Sequence, residues 1–323
     1  MTKHASTVSS HGRRESRIRV SLRVVGQIAF ADHLAELVAE RESQIVLGLD
    51  PDPMRLWDVA ADAFSGDGTP AELTARAVLI HCRAVIEAAG PACVAIKPQL
   101  ACFERLGAPG IAALREVVSA GHEAGLLVIA DGKRGDVPVT AAAYAQALAG
   151  AVAGPAGAVE GLGADAFTAN PLLGIDALDP LIATGAGVFV LVRTSNPGAA
   201  DIQDLELAGG GRVWERIAAI VAELGQPHAC GLGDVGAVFG ATAPEHLERA
   251  RELMPHAIFL LPGVGAQGGR VEDLAPAFAP GPAAGLVSAS RSIVGAAGEN
   301  GHGPGHAARS EAERLRGLAW SLA

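Results

Sequence analysis

An acid and an amine two residues apart are the side chains of this sequence best suited to chemistry. Asp131 and Lys133 follow five apolar residues, 126–130, a run typical of a strand buried on both faces. Side chains alternate along an extended segment, so this pair is predicted to point the same way, with Gly132 leaving room between them. Asp136 stands near the start of an Ala-rich helix and need not face them. The trio indicates either a functional site or a solvated ion-pair cluster at a strand end.

Short apolar strands alternate with helical stretches from Phe30 onward, and these elements must position the charges. Eight βα units with no second zone of composition predict one (β/α)8 TIM barrel over residues 29–323. An open, doubly wound sheet is the competing architecture. Residues 1–28 are polar and basic and are expected to form a poorly ordered extension. We place the strands at Gln44, Cys93, Leu126, Ala164, Val188, Val235, Ile258 and Gly285.

A barrel of this kind carries its active site on the loops that follow the strands. Asp50 follows the first predicted strand, Lys97 the second, and Asp131 and Lys133 the third. One charge at a strand end carries little information, but four on three consecutive strands predict an array of acids and amines at the barrel mouth.

The loops after the seventh and eighth strands have the composition of a phosphate site. Residues 262–269 read PGVGAQGG, and Arg291 follows Ser290 after the last strand. Glycines let the backbone approach an anion, and the planar guanidinium suits phosphate. A flexible turn is the alternative for the glycines alone. The sequence therefore predicts a phosphorylated substrate, and neither a dinucleotide fingerprint nor a metal-ligand spacing is present.

Composition limits the classes of partner that this protein can bind and indicates the cellular compartment. The formal net charge of −10 argues against a nucleic acid or an anionic membrane as partner. The four cysteines show no CxxC spacing, so we expect reduced thiols in a cytoplasmic protein. The uncharged run 141–159 is rich in Ala and Gly and is interrupted by Gly154 and Pro155, which predicts a helix and a loop rather than a membrane span.

Five motifs together carry a family resemblance that extends from about Phe30 to the C-terminus. They are LGLDP (47–51), IKP (96–98), DGKRGD (131–136), PGVGAQGG (262–269) and SRSI (290–293). In these motifs the chain resembles the orotidine 5′-monophosphate decarboxylases, specifically their longer bacterial subgroup. The resemblance implies a homodimer of barrels without cofactor or metal. It would convert orotidine 5′-monophosphate (OMP) to uridine 5′-monophosphate (UMP) and CO₂, the last step of UMP synthesis.

The resemblance also implies catalytic roles for the strand-end charges. Asp50 and Lys97 are expected to bind the ribose hydroxyls, with Lys97 also joining the charge array. Asp131 is expected to lie against the substrate carboxylate. Lys133 is expected to stabilise the carbanion that develops at C6 and then to protonate it.

Further contacts are implied outside that array. Asp136, in a catalytic role, and Thr140 are expected to reach into the partner subunit's site, and the loop 193–210 is expected to close as a lid. Asn170 is equally well explained as a turn residue before Pro171. The implied substrate contacts are Asn170, Ser195 on the pyrimidine, Gln267 between phosphate and pyrimidine, and Ser290 and Arg291 on the phosphate.

Two other functions stay open at this point. One is a magnesium-dependent sugar-phosphate synthase or decarboxylase, which would share the barrel and the Asp-x-Lys-x-x-Asp spacing. The other is a barrel that binds a nucleotide without turnover. Pro138 departs from the resemblance, because small flexible residues are usual in the turn after Asp136.

Overall fold

Eight parallel strands close into a barrel in the computed structural model, which describes residues 28–296 and 303–323. Barrel strands that follow one another along the chain are neighbours, and the first strand, β1 (Ile45–Leu49), pairs with the last, β10 (Gly285–Ala289), to complete the ring. The predicted TIM barrel is thereby confirmed and the open sheet is excluded. Apart from Ile28, the predicted extension 1–28 lies outside the described residues. The strands are β1 (Ile45–Leu49), β2 (Ala95–Pro98), β3 (Leu127–Arg134), β4 (Ala151–Gly154), β5 (Gly157–Glu160), β6 (Ala166–Ala169), β7 (Gly187–Arg193), β8 (Gly233–Phe239), β9 (Ala257–Pro262) and β10 (Gly285–Ala289).

Helices follow the strands in the alternation that the sequence predicts. Helix α2 begins with a capping box, in which the Thr69 hydroxyl accepts from the Glu72 N–H and the Glu72 carboxylate accepts from the Thr69 N–H. The helices are α1 (Phe30–Arg41), α2 (Pro70–Ala89), α3 (Leu100–Glu104), α4 (Ala108–Glu123), α5 (Pro138–Ala149), α6 (Ile175–Ile182), α7 (Val213–Leu224), α8 (Leu247–Leu253), α9 (Arg291–Val294) and α10 (Pro304–Trp320).

Apolar packing holds the barrel from two sides. The larger cluster lies between the strands and the surrounding helices and includes Leu47 of β1 and Val78 of α2. A second cluster fills the barrel interior, where Phe30 and Leu34 of α1 pack with inward-facing strand residues. The Phe30 ring meets the Phe189 ring edge to face, at 6.0 Å between centroids. Helix α1 thus packs into the barrel core, and the site occupies the opposite, C-terminal end of the strands.

The segment 141–159 differs from its prediction in two respects. Helix α5 ends at Ala149, whereas the sequence predicts a helix that continues to Ala153, and an antiparallel hairpin of β4 and β5 replaces both the end of that helix and the predicted loop. Val152 pairs with Val159 across the hairpin, and Pro155 and Ala156 form its turn. Strands this short and rich in Ala and Gly have no clear hydrophobic alternation, so the sequence pattern could not reveal them. Among the described residues, no helix is long and apolar enough to cross a membrane.

Pro138 has a simple explanation in the fold. It occupies the first turn of α5, directly after the N-cap residue Val137. Proline is favoured there because its fixed φ suits a helix and its missing N–H would have had no intrahelical acceptor. The departure from the family pattern therefore sets the start of α5 two residues after Asp136.

Candidate active site

A cavity of about 630 Å³ opens at the C-terminal ends of the barrel strands. It brings together most of the residues that the sequence singled out, from strands on both sides of the barrel mouth. Asp136 and Thr140 do not line it. The predicted residues that line the cavity are Asp50, Lys97, Asp131, Lys133, Asn170, Ser195, Gln267, Ser290 and Arg291.

Asp131 is the centre of the charge array. Its Oδ2 accepts from Lys97 Nζ at 2.6 Å, and its Oδ1 accepts from Lys133 Nζ at 2.5 Å. The Thr168 hydroxyl donates to Oδ1 at 2.9 Å, and Gln99 Nε2 lies 3.4 Å from Oδ2. Asp131 and Lys97 are buried, with 5% and 6% of their surface exposed, whereas the Lys133 side chain is 42% exposed. One buried carboxylate is therefore clamped between two ammonium groups, one of which reaches into the cavity.

Burial and charge act in opposite directions on these groups. Burial by itself disfavours the ionised Asp131 carboxyl, but Lys97 and Lys133 outweigh it and hold the pKa of Asp131 well below its ordinary value. Burial likewise disfavours the Lys97 ammonium, yet Asp131 and then Asp50 raise the pKa of Lys97 above its ordinary value. The Asp131 carboxylate and the Lys97 ammonium are thus both charged at neutral pH, and each charge depends on the other.

An irregularity in β3 shapes the array. Ala130 pairs with Phe167 and Arg134 with Ala169, so three residues, 131–133, lie opposite the single residue Thr168. Lys133 has a φ of 48°, one of two positive values at non-glycine residues in the described part of the chain. Such a conformation costs roughly 1 to 3 kcal/mol and is typical of functional sites. Bulges next to active sites redirect side chains, and this one lets Asp131 and Lys133 meet on the cavity side of the strand.

Thr168 and Gln99 were missed by the sequence analysis although both contact Asp131. Thr168 is the third of the four residues of β6, and Gln99 directly follows the Lys97-Pro98 pair. Both lie at strand ends, where polar residues of a TIM barrel deserve inspection whether or not they are charged. That rule, applied to uncharged side chains, could have found them.

Asp136 lies outside its own cavity, and Asn170 lines it. Asp136 Oδ1 accepts from the Val137 N–H at 2.7 Å, at the entry to α5 and away from its own cavity. Asn170 Oδ1 accepts from the Leu172 N–H at 3.0 Å, as a turn residue does, while Asn170 also lines the cavity. For Asn170 the turn and the site are therefore compatible.

Two glycines bring Ser195 to the cavity wall. A Cβ at Gly240 would lie 2.7 Å from Ser195 Cα, and one at Gly263 would lie 3.1 Å from Ser195 Cβ. Only glycine permits so close an approach, and Gly263 also has a φ of 104°. Gln267 borders the same space, since its Oε1 is 3.5 Å from the Gly263 Cβ position. The loop after β9 thus places Ser195 and Gln267 side by side.

The long loop after β7 forms one wall of the cavity. Arg193 holds both carboxylate oxygens of Asp204, with Nη2 to Oδ2 at 2.9 Å and Nε to Oδ1 at 3.3 Å. The Thr194 N–H donates to Gln203 Oε1 at 2.8 Å. These contacts tie the start of the loop to its middle, and apolar residues between them, such as Ile202, line the cavity.

The predicted phosphate side lies across the mouth from β3. The loop 263–269 is held by its own backbone, with the Gly269 N–H donating to Gly263 O at 3.0 Å. It touches the segment after β10, because a Cβ at Gly265 would lie 3.1 Å from Ser292 Cβ. Helix α9 starts at Arg291, and Trp57 Nε1 donates to Val294 O at 3.0 Å at its end. Two backbone segments rich in N–H groups and one guanidinium therefore border the same space.

No group of three or more His, Cys, Asp or Glu side chains within residues 28–296 and 303–323 is placed to hold a metal ion. What the cavity offers instead is a buried carboxylate, two ammonium groups and a guanidinium on the far side. Such an arrangement can bind an anion at one end and stabilise negative charge that develops at the other.

Comparison with known proteins places the chain in one family. A family model described as Orotidine 5'-phosphate decarboxylase / HUMPS family matches residues 43–302. The orotidine 5'-phosphate decarboxylase of Rhodopirellula baltica is 40% identical over 83% of this chain and 88% of that protein. That of Deinococcus radiodurans is 43% identical over 83% of this chain and 90% of that protein. The structure of Leishmania donovani OMP decarboxylase matches with a TM-score of 0.67 and 31% identity, over 90% of this chain and 99% of that one. The chain therefore belongs to the orotidine 5'-phosphate decarboxylase / HUMPS family.

Proposed function

We propose that this chain is an OMP decarboxylase, which converts OMP to UMP and CO₂ in pyrimidine biosynthesis. The observation that carries the proposal is the position of the Lys97, Asp131 and Lys133 array in the same cavity as Gln267 and Arg291. The charged array faces the place where a bond would break, and the opposite rim can hold the phosphate. The names of the relatives support the same reaction.

The chemistry follows from the charges. The substrate carboxylate lies beside Asp131, and the bond between C6 and the carboxylate carbon breaks with its electron pair left on C6. The Lys133 ammonium stabilises that negative charge and then transfers a proton from Nζ to C6, which gives UMP. Lys133 becomes a neutral amine and regains its proton from solvent. An ammonium group preorganised in a site that excludes water is worth far more to this step than one in water.

The rest of the cavity holds the nucleotide. Asp50 and Lys97 bind the ribose hydroxyls, Ser195 binds the pyrimidine, and Gln267 spans pyrimidine and phosphate. Asn170 lines the cavity beside the array, while Ser290 and Arg291 hold the phosphate. Binding energy from the phosphate is used for catalysis when the loop 193–210 closes over the substrate as a lid.

The active form is a homodimer whose sites are shared. Asp136 and Thr140 lie outside their own cavity and complete the site of the second copy. Exposed apolar residues lie between them in the chain, with Val137 53% and Val139 86% exposed, and Leu172, which follows β6, is 82% exposed. The segment that carries Asp136 is adjacent to the segment that carries Leu172, because a Cβ at Gly135 would lie 2.6 Å from Asn170 O. Such a patch at the mouth is typical of a surface that another chain covers.

The reaction is tested with OMP and the purified protein in the presence of EDTA. We expect loss of the OMP absorbance with chelator present, and loss of that activity in Lys133→Ala but not in Arg83→Ala, which removes a surface cation paired with Glu116. No turnover would contradict the proposal. A strict Mg²⁺ requirement would instead favour a sugar-phosphate enzyme, and tight UMP binding without turnover would favour a non-catalytic barrel.

Shared sites are tested by mixing two inactive variants. Each proposed site uses Lys133 of one chain and Asp136 of the other. In a dimer of one Lys133→Ala chain and one Asp136→Ala chain, one site therefore carries both substitutions and the other carries neither. Random reassociation of equal amounts predicts about one quarter of the parental activity, since half of the dimers are mixed and each has one working site. No recovery after verified exchange of subunits would contradict a site completed by the partner.

We also propose that the protein works in the cytoplasm. All four cysteines are unpaired, and burial raises the pKa of Cys82 and of Cys93, to about 12 for the latter. Inert buried thiols of this kind suit a reducing compartment.

A further inference from the structure

The Thr168 hydroxyl links the backbone of Lys133 to the carboxylate of Asp131. Thr168 is 1% exposed. Its Oγ1 donates to Asp131 Oδ1 at 2.9 Å and accepts from the Lys133 N–H at 2.8 Å. Lys133 Nζ donates to the same Oδ1 at 2.5 Å. Thr168, Asp131 and Lys133 are therefore joined in a closed ring of three hydrogen bonds.

The irregularity of β3 explains why a side chain is needed there. Residues 131–133 lie opposite Thr168 alone, so the strand ladder is interrupted at this point. The Lys133 N–H, in a residue with a φ of 48°, finds its acceptor in the Thr168 side chain rather than in the β6 backbone. A backbone N–H shielded from water is costly to leave without an acceptor, and the Thr168 side chain shields this one in part, so the bond supports an unusual backbone conformation.

We propose that Thr168 is a positioning residue for the decarboxylation, which holds Asp131 and the Lys133 backbone in place while Lys133 gives up its proton. This inference rests on the proposed function. Once Lys133 is a neutral amine, its hold on Asp131 Oδ1 weakens. The Thr168 hydroxyl still donates to that oxygen, and Lys97 still donates to Oδ2. The carboxylate therefore keeps its place through the step in which one of its two cations disappears.

The hydroxyl does this because it donates and accepts at once. Valine has nearly the same shape but can do neither, whereas serine keeps both functions on a smaller side chain. The comparison of Thr168→Val with Thr168→Ser therefore separates the hydrogen bonds from the packing.

Thr184 supplies a matched control. Its Oγ1 donates to Leu181 O at 2.8 Å and accepts from the Ala186 N–H at 3.2 Å, so it also has two hydrogen bonds. It lies between α6 and β7, at the other end of the barrel from the cavity. Thr184→Val makes the same chemical change away from the charge array.

Steady-state kinetics with OMP gives the first test. We expect Thr168→Val to lower kcat about 10- to 100-fold while KM changes less than about threefold, since substrate contacts are kept and the reacting groups are displaced. Thr168→Ser is expected to stay within about threefold of the parent, and Thr184→Val to match the parent. Parental kcat in Thr168→Val, or equal damage in Thr168→Ser, would overturn the inference.

Hydrogen–deuterium exchange of the Lys133 amide gives a second test that needs no turnover. We expect this amide to exchange at least about tenfold faster in Thr168→Val and at the parental rate in Thr168→Ser. Unchanged exchange in Thr168→Val would overturn the inference even if kcat fell. If the parent itself does not turn over OMP, the proposed function fails, while the exchange rates still decide whether Thr168 holds the Lys133 backbone. Thr168→Ala replaces Thr168→Val in both tests if the latter does not fold.

Discussion

Replacing Asp131 with asparagine leaves the Lys97 ammonium buried without its counter-charge. Lys97 is 6% exposed, and its Nζ donates to Asp131 Oδ2 at 2.6 Å. Lys133 is far more exposed and its ammonium can turn to solvent when the charge of Asp131 is lost. The effect on stability therefore arises mainly from Lys97. Removing one partner of a buried ion pair costs about 3 to 5 kcal/mol. Because the amide oxygen of asparagine still accepts a hydrogen bond, we expect Asp131→Asn to lower the free energy of unfolding by about 3 kcal/mol at pH 7.

The pH dependence of that loss has a definite sign. Burial lowers the pKa of Lys97, and it is the Asp131 charge, helped by Asp50, that raises it in the parent. In Asp131→Asn the folded state therefore loses the Lys97 proton at a lower pH than the unfolded chain does. Stability then rises with pH, by up to about 1.4 kcal/mol per unit, between the lowered folded pKa and the unfolded value of about 10.4. In the parent this lysine contributes no such rise, because its stabilisation is fully present up to the unfolded pKa and is lost only above it.

Urea unfolding followed by circular dichroism, at pH 7 and pH 9.5, measures both effects. We expect the gap in unfolding free energy between the parent and Asp131→Asn to narrow at the higher pH. Asp67→Asn, which changes an exposed carboxylate, is the control. Its unfolding free energy is expected to differ little from that of the parent, and by the same amount at both pH values. A gap for Asp131→Asn that is equally large at both pH values would refute the view that an uncompensated Lys97 charge causes the loss.

Three further predictions concern the phosphate side and the opposite end of the barrel. Arg291→Ala is expected to raise KM for OMP about 10- to 100-fold, because a charge-assisted contact to phosphate is lost, and an unchanged KM would contradict the assignment. Trp57→Phe removes the indole N–H that holds Val294 O at the end of α9, so KM is expected to rise about threefold with kcat unchanged; a fall in kcat alone would argue against this anchoring. The Asp165 carboxylate accepts a hydrogen bond from His122 and raises the pKa of His122. The stability that this pair contributes is present below the unfolded pKa of about 6.5 and is lost as pH rises through the raised folded value. His122→Gln is thus expected to lower the urea midpoint at pH 6 but not at pH 9, and an equal deficit at both would contradict the ion pair.

Much of the barrel mouth could be predicted because a strand end is visible in a sequence. A parallel strand buried on both faces is an apolar run, and the charge that interrupts it marks the edge of the sheet. Asp50, Lys97 and Lys133 were found in this way, and they line one cavity with Arg291. Pro138 departs from the family pattern, and the structure explains it as the first residue of α5.

The details of the array could not be predicted, because they depend on how β3 and β6 pair. Register is a relation between two strands, and neither strand encodes by itself that residues 131–133 lie opposite one residue. Thr168 is an ordinary strand residue until that pairing brings it to Asp131, and Gln99, which follows β2, meets Asp131 through the pairing of β2 with β3. The hairpin after α5 escaped for a related reason, since its two strands are too short and too poor in large side chains to form a pattern.

By itself the sequence determined which charges this protein owns, the order of its strands and the glycine-rich loops available for an anion, because these properties belong to local runs of residues. Only the tertiary structure decided that Asp131 is shared by two lysines and a threonine, and that Ser195 fits beside two glycines. The physical reason is that hydrogen bonds and desolvation act over a few ångströms between groups far apart in the chain. Closure of the barrel sets those distances.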